Sequence, residues 1–249
     1  MQSRITKGSL KLLAVLLFVY IVLFEFILPV NKYLPKPFLL YESISHIWHD
    51  YNLVYGLSIT FSMVVISLAA GYFSTYLNSA QIFKLSKDSK GIFETLKMFG
   101  YLPSIFIIAI FTFWFNEFLF AEFLFALFAS ILFSYSTLIK LTPNMKREYV
   151  EVARNLGLTP TDIYQSIYWK SMLPDFSKEY SLIHIKLWTV VLFTEFVLNM
   201  HGVGQVLRKI LEYRDFTALI NVAFMVALLI CLSDCLINYL RKKIIFWNN

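Results

Sequence analysis

Charge is scarce in this chain: Asp, Glu, Lys and Arg make up 15% of 249 residues, beside only eight glycines, four histidines and two cysteines. Soluble domains carry about 25% charged residues, so a conventional water-facing surface is excluded. Cys231 and Cys235 lie i, i+4 within one apolar run. Rigid helical backbone opposes a bridge between them. They read as small packing residues, and no disulfide or redox framework follows. His46 and His49 lie i, i+3, but two nitrogens without a third ligand make a weak metal site. They read as a solvated polar face. No H-E-x-x-H or comparable cluster occurs, so a membrane enzyme is the weakest functional reading. No G-x-x-x-x-G-K-[ST] loop occurs either, and any ATP chemistry must reside on another chain.

What the chain has is apolar length. It is 58% hydrophobic and 18% aromatic, with mean hydropathy +0.64. A bilayer needs about 20 apolar residues per helix. Six runs qualify, at roughly 10–30, 53–77, 95–115, 118–141, 179–199 and 217–240. The expected fold is an all-α, polytopic membrane protein forming a single domain over 1–249. The first run is too long for a signal peptide and lacks an A-x-A cleavage site, so it reads as a retained span. Pro103 is expected to kink the third.

The formal charge of +6 raises the possibility of a nucleic-acid partner, but its distribution argues against one. With the N-terminus in the cytoplasm, the inner side holds Arg4, Lys7, Lys11, Lys84, Lys87, Lys90, Lys97, Lys140, Lys146, Arg147, Arg154, Lys170, Lys178, Lys186, Arg241, Lys242 and Lys243. The outer side holds only Lys32, Lys36, Arg208, Lys209 and Arg214. This asymmetry follows the positive-inside rule and puts both termini in the cytoplasm. Outside, "KYLPKPF" (32–38) reads as extended, because proline restricts itself and its predecessor. A short interfacial helix follows, with Leu40, Ile44, Ile47 and Trp48 on one face.

Between the fourth and fifth spans lies "EVARNLGLTPTDIYQSIYWKSMLP" (151–174), on the cytoplasmic side. Residues 148–156 suit a short helix, with Ala153 and Gly157 forming a smooth strip. Gly157 suits the position past a helix end, where φ > 0 is wanted. Thr159 as N-cap, Pro160 at the first helical position and Asp162 three residues after the cap suit the start of a second helix. That helix is expected to end near Met172, before Pro174. The grammar resembles a DNA-binding helix-turn-helix, but tethering at both ends and the lack of a basic recognition face oppose that reading. A passive loop has no need of two capped helices. A docking element for a cytoplasmic partner fits best.

The same segment resembles the EAA loop of binding-protein-dependent ABC importer permeases, through Glu151, Val152, Ala153, Gly157, Ile167 and Leu173-Pro174. Weaker likenesses point to the branch importing nitrate, taurine, sulfonates and bicarbonate. They are Leu34-Pro35-Lys36-Pro37, Pro103, Trp114-Phe115, Trp188, Glu195, Gly202-Val203-Gly204, Asp234, Arg241 to Lys243, and Trp247. Together they cover about residues 30–247. Val152, Lys170, Asn116 and Ala109 depart from the pattern.

The resemblance implies a type I ABC importer permease fold in the cell (inner or plasma) membrane. It implies a cytoplasmic coupling loop at 148–174, whose ATPase contacts are Glu151, Ala153, Gly157 and the turn Leu158, Thr159, Pro160, Thr161 and Asp162. It also implies a second permease copy or paralogue, a cytoplasmic ABC ATPase dimer carrying the ATP and Mg, and an extracytoplasmic binding protein. No cofactor is expected on this chain. An ATPase-coupled scaffold that moves no solute stays open as the alternative.

Polar groups inside spans are costly and informative. His184, Trp188, Val191 and Glu195 form one stripe of span five. Glu195, with Trp188, Gly202 and Gly204, is a candidate for lining or gating a pathway; the alternative is a structural bond that positions the Gly202–Gly204 loop. Ala227, Cys231, Asp234, Asn238 and Arg241 share a face of span six, where Asp234 is expected to pair with a basic residue on a neighbouring helix. Glu25, Glu117 and Glu122 are expected near the outer surface, in water.

Overall fold

In lipid every backbone polar group must be satisfied internally, and a helix does so within one segment. The computed structural model describes residues 7–27, 35–88, 104–114, 118–142, 147–159 and 162–245, and every regular element among them is helical. In chain order these are α1 (Lys7–Ile21), α2 (Pro37–Asp50), α3 (Leu53–Leu77), α4 (Ser79–Asp88), α5 (Ser104–Trp114), α6 (Phe118–Leu141), α7 (Arg147–Asn155), α8 (Trp169–Leu198), α9 (Val203–Tyr213) and α10 (Phe216–Ile244). Val22–Ile27 extends α1, and Ile163–Tyr168 leads into α8, both with π-helical winding.

Four helical stretches among the described residues are long and apolar enough to cross a membrane: α3, α6, α8 with its π-wound lead, and α10. The first expected span falls on α1 and its extension. The third is described only over α5. Pro103, Phe115, Asn116, Glu117 and Trp247 lie outside the described residues.

The core forms where α3, α6 and α8 meet. Gly71 of α3 lies so close to Ser130 of α6 that a Cβ there would overlap the Ser130 side chain. Small residues at such crossings let membrane helices approach backbone to backbone. The Tyr180 hydroxyl of α8 donates to the Leu68 carbonyl of α3. The Tyr72 ring sits 5.9 Å from Trp169 and 5.6 Å from Tyr180, and Trp169 sits 5.6 Å from Phe176.

That aromatic cluster explains one correction. The helix after the coupling turn does not stop near Met172; α8 runs through Pro174 to Leu198. An interior proline costs about 3 kcal/mol. Trp169, Met172, Leu173 and Phe176 are all buried on either side of it. Burying one such side chain stabilises by about 1.5–3 kcal/mol, so packing overrides the local penalty.

At the opposite end of the bundle, α2 lies against the start of α10. Asn221 Nδ2 donates to the Leu40 carbonyl at 2.7 Å. The Tyr51 hydroxyl donates to Asp215 Oδ2 at 3.3 Å; burial, then the Asp215 carboxylate, raises the phenol above its ordinary value. Asp215 also caps α10 by accepting from the Ala218 N–H at 3.0 Å. On α2, Ile47 is buried and Trp48 is exposed. His46 pairs with Asp50 at 3.4 Å on the exposed face.

Two further expectations are corrected on α10. Cys231 and Cys235 are exposed on this chain rather than packed, although Ser233 and Asp234 beside them reach α8. Asp234 has no basic partner among the described residues; it accepts from the Ser181 hydroxyl of α8 and from Asn238 Nδ2 at 2.9 Å. Hydroxyl and amide donors satisfy the carboxylate without a second buried charge.

Candidate functional site

The segment at 148–174 opens with two well-formed helix ends. α7 closes with Gly157 at φ +77°, a left-handed conformation that glycine adopts without a Cβ penalty. The Leu158 N–H reaches back to the Ala153 carbonyl at 3.2 Å and the Gly157 N–H to the Arg154 carbonyl at 2.9 Å. This pair of bonds is a Schellman motif, which satisfies carbonyls that helix ends otherwise leave unpaired. The next helix opens at Thr159. The Asp162 N–H donates to Thr159 Oγ1 at 3.3 Å, and Thr159 Oγ1–H donates to Asp162 Oδ2 at 2.6 Å. Pro160 and Thr161 lie outside the described residues.

The two faces of α7 differ sharply. Ala153 is 2% exposed and packs inward, where α7 lies against the π-wound lead of α8. It therefore does not share an open strip with Gly157, as the sequence suggested. Periodicity groups residues on a helix face but does not say which face meets the protein's own body. Glu151, Gly157, Thr159 and Asp162 are exposed. So are four apolar side chains on this polar segment: Tyr149, Val152 at 58%, Leu156 at 74%, and Leu158. Nothing lies within 4 Å of a Cβ built on Gly157.

The second cluster surrounds Glu195, which is 0% exposed. Its Oε1 accepts from the Thr60 hydroxyl of α3 at 2.6 Å, and its Oε2 accepts from the Gly204 N–H at 2.8 Å. Thr60 Oγ1 also accepts from the Val203 N–H at 3.0 Å. These are the first N–H groups of α9, so one carboxylate and one hydroxyl cap that helix. Negative charge at a helix N-terminus is favourable. α8 ends at Asn199, with φ 53°, and the chain turns back onto Glu195 through Gly202. A methyl group on Gly202 would overlap the Glu195 carboxyl group, and one on Gly204 would stand 2.5 Å from Glu195 Cβ. Both glycines are required by close approach.

Among the candidate residues, Glu195, Gly202 and Gly204 are therefore brought together. Trp188 lies two turns back along the same buried stripe. Its indole N–H donates to His184 Nε2 at 2.9 Å, an atom that also lies 3.0 Å from Ser233 Oγ of α10. Thr60 and Glu122 were missed by the sequence reading. Glu122 is not at a watery surface: it is 1% exposed on α6 and in electrostatic contact with Glu195. Apart from the Glu195 carboxyl, no hydrogen-bonding group reaches either of its oxygens. An acidic residue four positions into an apolar helix was the available signal. No group of three or more metal-ligating side chains occurs among the described residues.

No curated protein and no solved structure matches the chain. Residues 84–246, from α4 past the end of α10, match the model of one family, and that stretch holds α7, the turn at 157–162, Glu195 and the Gly202–Gly204 loop. The chain belongs to the binding-protein-dependent transport system inner membrane components, the membrane-spanning permeases of ABC importers.

Proposed function

We propose that this chain is the solute-conducting subunit of an ATP-driven importer. It works by alternating access, and its solute is a small anion such as nitrate, a sulfonate or bicarbonate, or a related small organic molecule. It pairs with a second copy or a paralogue. It docks a cytoplasmic ABC ATPase dimer that carries the ATP and Mg, and it receives solute from an extracytoplasmic binding protein. Both termini and the 148–174 segment lie in the cytoplasm, and residues 1–249 act as one domain.

One observation carries the docking assignment. Tyr149, Val152, Leu156 and Leu158 are exposed on a short, polar, doubly capped segment that has no reason to enter lipid. Apolar groups clustered on a polar rim mark a protein contact. Glu151 and Asp162 supply charge at its edge. The Glu195 cluster is the candidate outer gate: fully buried and bonded to Thr60 and Gly204, the carboxylate is not presented to solute but sets where the Gly202–Gly204 loop and α9 stand relative to α3. Trp188, on the same stripe, faces the core beneath that loop, with its ring 6.4 Å from Phe61.

The test is Gly157→Trp. Its side chain enters open space on this chain and costs only the local strain of a non-glycine residue at φ +77°, about 1–2 kcal/mol, whereas it overpacks a docked partner; Gly157→Ala carries the same strain without the bulk and should keep the ATPase. Membrane insertion should persist, and the ABC ATPase should no longer co-purify. Full recovery of the ATPase with the variant would remove the docking assignment.

A further inference from the structure

Glu122 is a carboxyl group without an evident source of stability. It projects from the membrane-spanning helix α6, is 1% exposed, and neither oxygen meets a hydrogen-bond donor. Its close electrostatic neighbour is another carboxyl, Glu195. No ion pair among the described residues involves either of them. Among the described residues, the groups set against the pair are the Thr60 hydroxyl from α3 and the Gly204 and Val203 N–H groups from the start of α9. None is a cation. His201, the histidine nearest the loop in sequence, is exposed and set against Tyr55.

Two ionised carboxylates side by side, out of water and without a counter-charge, repel each other and forfeit their hydration. The donors decide how that conflict is relieved. Glu195 receives one on each oxygen, which is the environment of a carboxylate. Glu122 receives none, which suits a neutral acid whose own O–H is the missing donor.

We infer that Glu122 and Glu195 form a buried proton-binding site, in which one proton carried on Glu122 is donated to the Glu195 carboxylate. A single dehydrated proton then ties α6 to the carboxylate that already holds α3, α8 and the start of α9. The site is a latch whose ligand is a proton. A metal cation does not suit it: hard cations gather six or more oxygens, whereas the oxygens gathered here are the two carboxyl groups and the Thr60 hydroxyl, and each Glu195 oxygen already accepts an N–H or O–H.

Infrared difference spectroscopy on the full-length permease in lipid nanodiscs tests this directly. At neutral pH the wild type should show the carbonyl stretch of a protonated carboxylic acid. Glu122→Gln should remove that band, and Glu195→Gln should shift its frequency, because the acceptor changes from carboxylate to amide. As pH rises above the ordinary glutamate range the melting temperature of the wild type should fall, because only the folded state holds the proton, and the fall should level off once the band has bleached. Glu122→Gln keeps a donor that cannot ionise, so its melting temperature should not follow that fall. Exchanging choline for sodium or potassium should change nothing. A wild type with no such band at neutral pH overturns the proposal even if neither variant folds. A band that survives Glu122→Gln, or a midpoint restored at alkaline pH by sodium or potassium, also overturns it.

Discussion

Replacing Thr60 by valine removes one oxygen while keeping the shape of the side chain. That oxygen does two things at once in a fully buried position. It donates to Glu195 Oε1 at 2.6 Å and accepts from the Val203 N–H at 3.0 Å. Its single hydrogen favours the short contact to the carboxylate over the Gly56 carbonyl at 3.0 Å. A hydrogen bond to a charged group contributes about 1.5–3 kcal/mol, and a buried N–H left without an acceptor costs about 1–3 kcal/mol. The two belong to one network and do not add fully, so the expected loss is about 3 kcal/mol. For a chain of this size each kcal/mol moves the midpoint by about 2–4 °C, and Thr60→Val should melt roughly 6–12 °C below wild type. Thr189→Val is the control. Thr189 is exposed and its hydroxyl bonds only its own helix, to the Ile185 carbonyl at 3.3 Å, so its loss should stay within about 0.5 kcal/mol. Thermal unfolding of both variants in the same detergent, followed by tryptophan fluorescence, makes the comparison. If Thr60→Val melts with Thr189→Val, Thr60 is not the pin that joins α3 to the loop.

Gly202→Ala should be more damaging than Thr60→Val, because its methyl group would displace the Glu195 carboxyl itself; size-exclusion profiles after membrane extraction should show aggregated rather than monodisperse protein. For orientation, in a background lacking Cys231 and Cys235, a cysteine replacing the exposed Glu42 should react with a membrane-impermeant thiol reagent in intact cells. One replacing the exposed Asp162 should react only with a permeant reagent. The reverse pattern would invert the topology and remove the docking assignment with it.

The spanning helices were legible because apolar runs longer than a bilayer is thick have few alternatives. The turn at 157–162 was legible because Gly157, Thr159 and Asp162 each have one strong local preference: Gly157 takes a positive φ and the Asp162 N–H reaches Thr159 Oγ1, while the Asp162 carboxylate meets the Thr159 hydroxyl rather than its N–H. Pro174 was misread because its local penalty is outweighed by the aromatic side chains of Trp169, Tyr72 and Phe176, whose meeting depends on tertiary structure. Glu122 was misread for a similar reason. Hydropathy places it near one end of a span but says nothing about which neighbour it faces. Thr60 was invisible among many hydroxyl residues, since only the return of the chain through Gly202 gives it two partners. The stripe of His184, Trp188, Val191 and Glu195 was readable from spacing and is buried throughout. Its chemistry was not, because the partners come from α3, α6, α9 and α10.

The passage of α8 through Pro174 has a mechanical consequence. The helix is 30 residues long, a beam of about 45 Å at 1.5 Å per residue. One end continues into the π-wound Ile163–Tyr168 stretch, and Glu195 sits near the other. Tilting such a beam by about 10° about its middle swings each tip by roughly 4 Å, in opposite directions. Hydrogen bonds tolerate a few tenths of an ångström. A push at the Trp169 end would therefore arrive at the far end as a see-saw displacement that the Thr60 and Gly204 bonds cannot absorb by stretching. Either α3 and α9 travel with the beam as one body, or those bonds part together and the loop is released in a single step.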